Sequence, residues 1–130
     1  MTTTIHVWDE AIPGRRSPAE SLTLEHATTT RELIRSRVRQ EVERYNQSLP
    51  AVFRGLVQPE ESEQILNGFR MKVSRPLDWE VQCDRACASF QRNGFLILVD
   101  GRQVSELDEQ LDLRDGSEVQ FVKLVPLVGG

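Results

Sequence analysis

The sequence predicts an α+β fold, and three patterns along the chain carry that prediction. Residues 3–8 alternate apolar and polar side chains, which is typical of a strand with one buried face. Residues 29–45 repeat apolar side chains at helical spacing, which indicates an amphipathic helix. Residues 95–130 contain short apolar runs separated by Asp-Gly turns, which predict the second half of a small twisted sheet.

The first half of the chain supplies two strands. In the first, Ile5 and Val7 share one face, and His6 and Trp8 share the other. A connection rich in Pro, Gly and Ser follows. Residues 22–24 then alternate again, and we expect the second strand there.

The main helix is predicted to begin after Thr29. Thr29 and Glu32 fit a capping box, in which each side chain bonds the backbone N–H of the other residue. The apolar stripe of this helix consists of Leu33, Ile34, Val38, Val42 and Tyr45. The opposite face carries Arg31, Arg35, Arg39 and Glu43.

Residues 48–94 are predicted to form a partly helical insertion. Pro59–Leu66 is acidic and favours a short helix, because Glu residues are stabilising near a helix N-terminus. Phe69–Val73 predicts an edge strand or an extended arm. A second helix is predicted within residues 77–93, between Pro76 and Gly94.

The last third predicts strands joined by tight turns. Asp100-Gly101 is a strong hairpin signal, because a type I′ turn needs positive φ at both central residues. Asp115-Gly116 predicts a second turn. Around these turns we expect an apolar strand at 95–99, a short return strand at 102–104, a polar stretch at 105–113 and a last strand at 119–124. Leu107, Leu111 and Leu113 in the polar stretch are spaced for a helical turn or a packed loop.

The composition of the chain argues against several classes of function. The net charge of −4 and the lack of a basic block argue against a nucleic-acid partner. No apolar segment approaches the roughly 20 residues that a membrane helix needs, and Met1–His6 lacks the pattern of a signal peptide. We therefore expect a cytoplasmic protein that neither binds nor crosses a membrane, with one core.

No catalytic or metal-binding pattern is visible. Cys83 and Cys87 are four residues apart on the second predicted helix, and they are more typical of small buried side chains than of metal ligands. His6 and His26 fit surface positions. We expect no cofactor, no catalytic residue and no metal, so that the protein is a substrate of enzymes and not an enzyme.

The chain ends on an apolar tail followed by two glycines. Gly129 and Gly130 lack Cβ atoms, so the backbone can pass through a narrow channel and leave the carboxylate unhindered. The alternative is a frayed end without function. The tail before the glycines consists of Leu124, Val125, Pro126, Leu127 and Val128.

The order of elements and the tail resemble the β-grasp family of ubiquitin and the prokaryotic sulfur carriers. The resemblance rests on residues 98–104, with their Asp-Gly hairpin, on the strand at 115–121, and on Gly129-Gly130. The chain is most similar to the ubiquitin-like modifiers of bacterial operons that also encode conjugation enzymes. Two features depart from the small families, namely the insertion at 48–94 and the long apolar tail.

The resemblance implies a fold, a function and partners. The fold would be a mixed sheet of four to five strands packed on one main helix, as a single domain over residues 1–123 with a flexible tail at 124–130. Gly130 would be adenylated by an E1-like activating enzyme, passed to an E2-like conjugating enzyme and joined to an amine on a protein target. A deconjugating peptidase would remove the modifier from the target. Antiviral defence is the process that the resembled bacterial group implies.

Two other functions stay open. A sulfur carrier would form a thiocarboxylate at Gly130, and a non-covalent binding module would carry the diglycine incidentally. The insertion can enlarge the core, or it can present Trp79 or Phe69 to a partner enzyme, since aromatic residues dominate interface energetics.

Overall fold

The structure is a computed structural model that describes residues 2–12, 15–25, 28–65 and 68–124. Over these residues the chain is an α+β protein with a mixed sheet and two helices. The elements in chain order are β1 (Thr3–Ile12), β2 (Arg15–Arg16), β3 (Glu20–Leu24), β4 (Thr28–Thr29), α1 (Thr30–Ser48), β5 (Val52–Phe53), β6 (Ser62–Ile65), β7 (Gly68–Met71), α2 (Trp79–Gln91), β8 (Phe95–Val99), β9 (Arg102–Val104), β10 (Gln110–Leu111) and β11 (Glu118–Leu124).

The chain divides into two compact units, and both boundaries fall inside a helix. The first unit comprises residues 1–33 and 89–130, and the second comprises residues 34–88. The first unit contains a six-stranded sheet in the order β2-β1-β11-β8-β9, with β3 also paired to β1. The β1–β11 pair is parallel and the other pairs are antiparallel, so the sheet is mixed.

The sheet has one strand more than the four to five expected, because two strands pair along the same side of β1. The register matches Val7 with Glu20 in β3, and Glu10 with Arg16 in β2. Two residues of β1 therefore oppose three residues, 17–19, of the returning chain. This extra residue is a β-bulge, which shifts the register between the two strands.

The core of the first unit lies on the face of the sheet where the apolar side chains alternate inward. Phe121 is fully buried, and its ring centroid lies 6.1 Å from that of Phe95. Phe95 also contacts Phe90, with ring centroids 5.8 Å apart. The other strand residues that are at most 2% exposed are Ile5, Ile97, Val104 and Val119.

Both predicted Asp-Gly turns are confirmed. Asp100 and Gly101 have φ values of 47° and 84°, which the hairpin between β8 and β9 requires. Gly116 has a φ of 87°, and its N–H donates to the Thr4 carbonyl over 2.9 Å. The second turn is therefore tied to the start of β1.

The predicted main helix is confirmed as α1. Glu32 N–H donates to the Thr29 hydroxyl over 3.3 Å, which is one half of the predicted capping box. The N–H groups of Thr30 and Arg31 donate to carbonyls at 109 and 107, so the first turn is satisfied by the loop around β10. All five residues of the apolar stripe are buried.

The second unit contains a three-stranded sheet in the order β5-β7-β6. The prediction of an acidic helix at Pro59–Leu66 was wrong, because Ser62–Ile65 forms β6. Glu61 has a φ of 53°, which is incompatible with a right-handed helix, and the Ser62 hydroxyl donates to the Pro59 carbonyl over 2.7 Å. Phe69 lies in β7, which is the central strand of this sheet and not an edge.

Helix α2 confirms the helix predicted after Pro76. Asp78 caps it, since its Oδ1 accepts hydrogen bonds from the N–H groups of Glu80 and Val81 over 2.9 and 3.4 Å. The Asn46 side chain bonds both the carbonyl and the N–H of Leu77, over 3.0 and 2.8 Å. These contacts fix the entry of the chain into α2.

Candidate functional site

The predicted conjugation site is joined to the centre of the main sheet. Gly129, Gly130 and residues 125–128 of the predicted tail lie outside the described residues, and only the backbone of Leu124 is described. Leu124 is the last residue of β11 and pairs with Ile12 in the parallel ladder. The central strand β11 therefore leads into the tail, and it ends at the same end of the sheet as β1.

Lys123 forms the base of this tail. Its backbone pairs with Ala11 on one side and with Phe95 on the other. Its Nζ lies 3.5 Å from Asp9 Oδ2, and the two side chains are 28% and 25% exposed. Partial burial reduces the screening that makes ion pairs on open surfaces weak.

Asp9 also holds the returning chain at the β-bulge. Ser17 N–H donates to the Asp9 carbonyl over 2.8 Å, and Asp9 N–H donates to the Ser17 hydroxyl over 2.8 Å. The Ser17 side chain thus replaces a backbone acceptor that the bulge displaces. Main-chain bonds thus join Asp9 to Ser17, while its carboxylate contacts Lys123.

The outer face of the sheet carries polar and aromatic groups on β1, β2 and β11. The guanidinium carbon of Arg16 lies 4.5 Å from the centre of the Trp8 ring, which is a cation–π distance. Gln120 donates from its side-chain amide to the Glu10 carboxylate. The predicted alternation of β1 is confirmed, because Ile5 and Val7 are buried whereas His6 is exposed and Trp8 is partly exposed.

The same outer face continues onto β8 with apolar side chains. Leu98 pairs with Gln120 across the β8–β11 ladder, and Leu96 pairs with Val122. Leu96 and Leu98 are partly exposed. The outer face of the sheet thus combines apolar contact area with hydrogen-bonding and charged groups, a composition that suits recognition by another protein.

Trp79 of the second unit is enclosed by two arginines of α1. The guanidinium carbons of Arg35 and Arg39 lie 5.2 and 5.0 Å from the Trp79 ring centre. Arg39 also pairs with Glu43 over 3.0 Å. Trp79 and Phe69, the two predicted recognition aromatics, are both partly buried. Trp79 contributes to packing between the two helices within this unit.

The two cysteines are buried, as the apolar pattern predicts. Cys83 is fully buried, and this burial raises the pKa of its thiol from 9.0 to about 11, although the nearby Arg35 opposes the shift. Its Sγ donates to the Arg35 carbonyl over 3.8 Å. Cys83 is therefore a protonated thiol at neutral pH, which is a poor nucleophile and a poor metal ligand.

Sequence reasoning missed the contacts at the base of the tail. It did not single out Asp9, Ser17 or Arg16, and it assigned no partner to Lys123. One signal was present, since Asp9 and Lys123 follow Val7 and Phe121 by two residues and so occupy inward positions of their strands. Two opposite charges at inward positions indicate a pair, but the parallel register that joins them is not readable from the sequence.

Among the described residues, no group of three or more His, Cys, Asp or Glu side chains could hold a metal ion. The described helices include none that is long and apolar enough to cross a bilayer. A scan against protein-family models finds no matching family, and a search of curated proteins finds no sequence match.

Proposed function

We propose that the chain is a ubiquitin-like β-grasp modifier that is activated at the Gly130 carboxylate and joined to an amine on a target protein. The observation that carries the proposal is that the central strand β11 ends at Leu124, only four residues before the C-terminal diglycine. A strand held on both sides gives the tail a rigid base, while glycines without Cβ atoms suit a narrow enzyme channel. Folding and recognition can therefore use different parts of one chain.

The strand order supports the β-grasp proposal. Strands β3 and β1 form an antiparallel pair, β1 and β11 are parallel, and β8 and β9 form a hairpin on the other side of β11. The first and last strands of the unit therefore lie side by side in the middle of the sheet. The sheet is therefore mixed, which is the kind of sheet that the resemblance to ubiquitin and the sulfur carriers implies.

The proposed partners are an activating enzyme, a conjugating enzyme, a deconjugating peptidase and a protein target, all in the cytoplasm. The apolar tail of residues 124–128 would occupy a groove on these enzymes. The outer sheet face with Trp8, Leu96 and Leu98 lies on β1 and β8, the two strands paired with β11, which precedes this tail. We propose it as a second contact, because one partner can reach both.

A sulfur carrier is the second candidate function. It is favoured by the segment from Asp115 to Phe121, in which an Asp-Gly turn leads into the last strand, as in the resembled carriers. The two functions share the activated Gly130 carboxylate and differ in the product that this carboxylate forms. A modifier forms an amide with a protein amine, and a carrier forms a thiocarboxylate.

One experiment separates the candidates. The chain with an N-terminal affinity tag is isolated from cells of its own host under denaturing conditions, digested with trypsin and analysed by mass spectrometry. Because trypsin cleaves after Lys123, a modifier leaves the peptide of residues 124–130 on lysines of other proteins. A carrier instead yields this peptide with sulfur in place of one carboxylate oxygen.

The control is a variant that lacks Gly129 and Gly130. We expect it to form neither product and to unfold at the same denaturant concentration as the full chain, because the deletion lies beyond the last residue of β11. Adducts that persist in this variant would refute the proposal. A full chain that yields neither product would leave the non-covalent binding module as the function.

A further inference from the structure

Side-chain amines are scarce in this chain. Among 16 Lys and Arg residues only Lys72 and Lys123 are lysines. A lysine amine that loses its proton can attack an activated carboxyl group, whereas the arginine guanidinium stays protonated in proteins and offers no comparable nucleophile. Any acyl group placed on a side-chain amine of this chain must therefore go to one of two positions.

Lys123 is poorly placed to accept an acyl group. It lies inside β11, with β1 and β8 paired on either side, and its ammonium group contacts the Asp9 carboxylate at 3.5 Å. Attack by this amine would require the loss of that contact and the approach of a second chain to a side chain that is only 28% exposed. Both requirements oppose its reaction.

Lys72 is in the opposite situation. It follows β7 and begins a stretch, residues 72–76, in which every residue is exposed. Lys72 takes part in none of the ion pairs found among the described residues. The next residue, Val73, is 58% exposed and adds an apolar contact beside the amine.

The backbone around Lys72 is nevertheless held in place. Lys72 N–H donates to the Glu61 carbonyl over 3.0 Å, and the Arg75 guanidinium lies 2.7 Å from the Glu61 carboxylate. The main-chain bond to Glu61 therefore holds the start of the stretch, and the exposed ion pair with Arg75 adds little. An exposed amine on an anchored backbone can be presented to an enzyme with a small loss of conformational entropy.

We propose that Lys72 is the acyl-acceptor site of this chain, the amine to which the Gly130 carboxylate of a second copy is joined. This inference rests on the proposed modifier function. In the reaction, the carboxylate attacks the α-phosphate of ATP and pyrophosphate leaves; an enzyme thiol then displaces AMP to form a thioester. The neutral Lys72 amine attacks the thioester carbonyl, the C–N bond forms, the C–S bond breaks, and the amine proton passes to a solvent base.

The first test measures the two amines without any enzyme. The folded chain is treated with sulfosuccinimidyl acetate, and acetylation at each lysine is followed by peptide mass spectrometry. We expect Lys72 to react at least about fivefold faster than Lys123, a factor equivalent to about 1 kcal/mol for the loss of the Asp9 contact. In Asp9→Asn, which keeps the main-chain bonds to Ser17, Lys123 should react faster than in the wild type. Equal rates in the wild type would overturn the inference.

The second test looks for the linked product. In tagged chain isolated from host cells, we expect the peptide of residues 124–130 attached to Lys72. Lys72→Arg keeps the charge and should remove the product between copies while attachment to other proteins continues. If other proteins carry the peptide and Lys72 does not, this inference is wrong and the proposed function stands. If no lysine carries it, both the proposed function and this inference are wrong.

Discussion

Gly55 lies so close to the ring of Phe53 that a Cβ at position 55 would overlap two of the ring carbons. The same Cβ would stand 3.0 Å from the Glu41 carboxylate. Phe53 is only 2% exposed and packs edge-on against Tyr45, with ring centroids 5.4 Å apart. The ring therefore cannot move aside without disturbing this contact.

We expect Gly55→Ala to lower the free energy of unfolding by about 1–3 kcal/mol, because it overpacks a filled core. The matched control is Gly116→Ala, where a Cβ meets nothing within 4 Å and the cost comes only from the φ of 87°. Chemical denaturation of both variants measures the difference. A Gly55→Ala protein as stable as the wild type would show that Phe53 is not fixed.

Glu41 adds a second constraint at the same place. Its Oε1 lies 2.6 Å from Arg37 Nε, and its Oε2 accepts the Leu56 N–H over 3.0 Å. The Arg37 and Glu41 side chains are 9% and 13% exposed, so removal of one partner would leave a buried charge. The loop that contains Gly55 is therefore held by α1 through both packing and charge.

Substitution of Phe121 tests the packing of the core of the first unit. It is fully buried in β11 and contacts Phe95. We expect Phe121→Ala to cost about 3–5 kcal/mol of unfolding free energy, the usual range for a large core ring. The exposed Gln103→Ala in β9 should stay within about 0.5 kcal/mol of wild type. A cost for Phe121→Ala similar to that of Gln103→Ala would contradict the burial.

The sequence predicted those parts of the fold that depend on neighbouring residues. Alternation located β1, β3 and β11, and the helical stripe located α1, because each pattern reflects one buried face. The Asp100-Gly101 turn was predictable because few residue pairs accept positive φ at both positions. The packing partner of each buried face could not be predicted in the same way.

The parts that were missed depend on pairing between distant segments. The segment around β6 looked helical because of Glu60, Glu61 and Glu63, and its pairing with β7 makes residues 62–65 a strand. The β-bulge at Ser17 and the contact of Lys123 with Asp9 depend on registers that local patterns do not encode. For the candidate site, the sequence supplied the tail, while the charged base of the tail required the structure.

Tyr45 provides a test of an unusual buried group. Its side chain is 5% exposed, and its hydroxyl has no hydrogen-bond partner among the described residues. Because a buried hydroxyl without a partner is unfavourable, we expect Tyr45→Phe to leave the unfolding free energy unchanged or raise it by up to about 1 kcal/mol.

The control for Tyr45 is Tyr45→Leu, which removes the edge-on contact with Phe53. It should cost more than Tyr45→Phe by at least about 1 kcal/mol, since aromatic pairs add to simple burial. Both variants are compared by chemical denaturation. A loss of more than about 1 kcal/mol in Tyr45→Phe would show that the hydroxyl does have a partner.

The thiol of Cys83 is protonated in the folded chain over a wider pH range than in the unfolded chain. Burial raises its pKa from 9.0 to about 11, and its hydrogen bond to the Arg35 carbonyl also uses the proton. Between these two values the unfolded chain loses this proton while the folded chain keeps it. Linkage then requires the unfolding free energy to fall as the pH rises.

We therefore expect the contribution of Cys83 to stability to be complete below about pH 9 and to be lost as the pH approaches 11. A shift of this size corresponds to at most about 3 kcal/mol. Chemical denaturation across this range measures the slope, and Cys83→Ala removes the thiol without adding another titrating group. The unfolding free energy of the variant should fall less steeply with pH than that of the wild type. All other titrating groups are the same in the two proteins, so the difference reports Cys83. Parallel curves for the two proteins would show that the thiol titrates alike in the folded and unfolded chains.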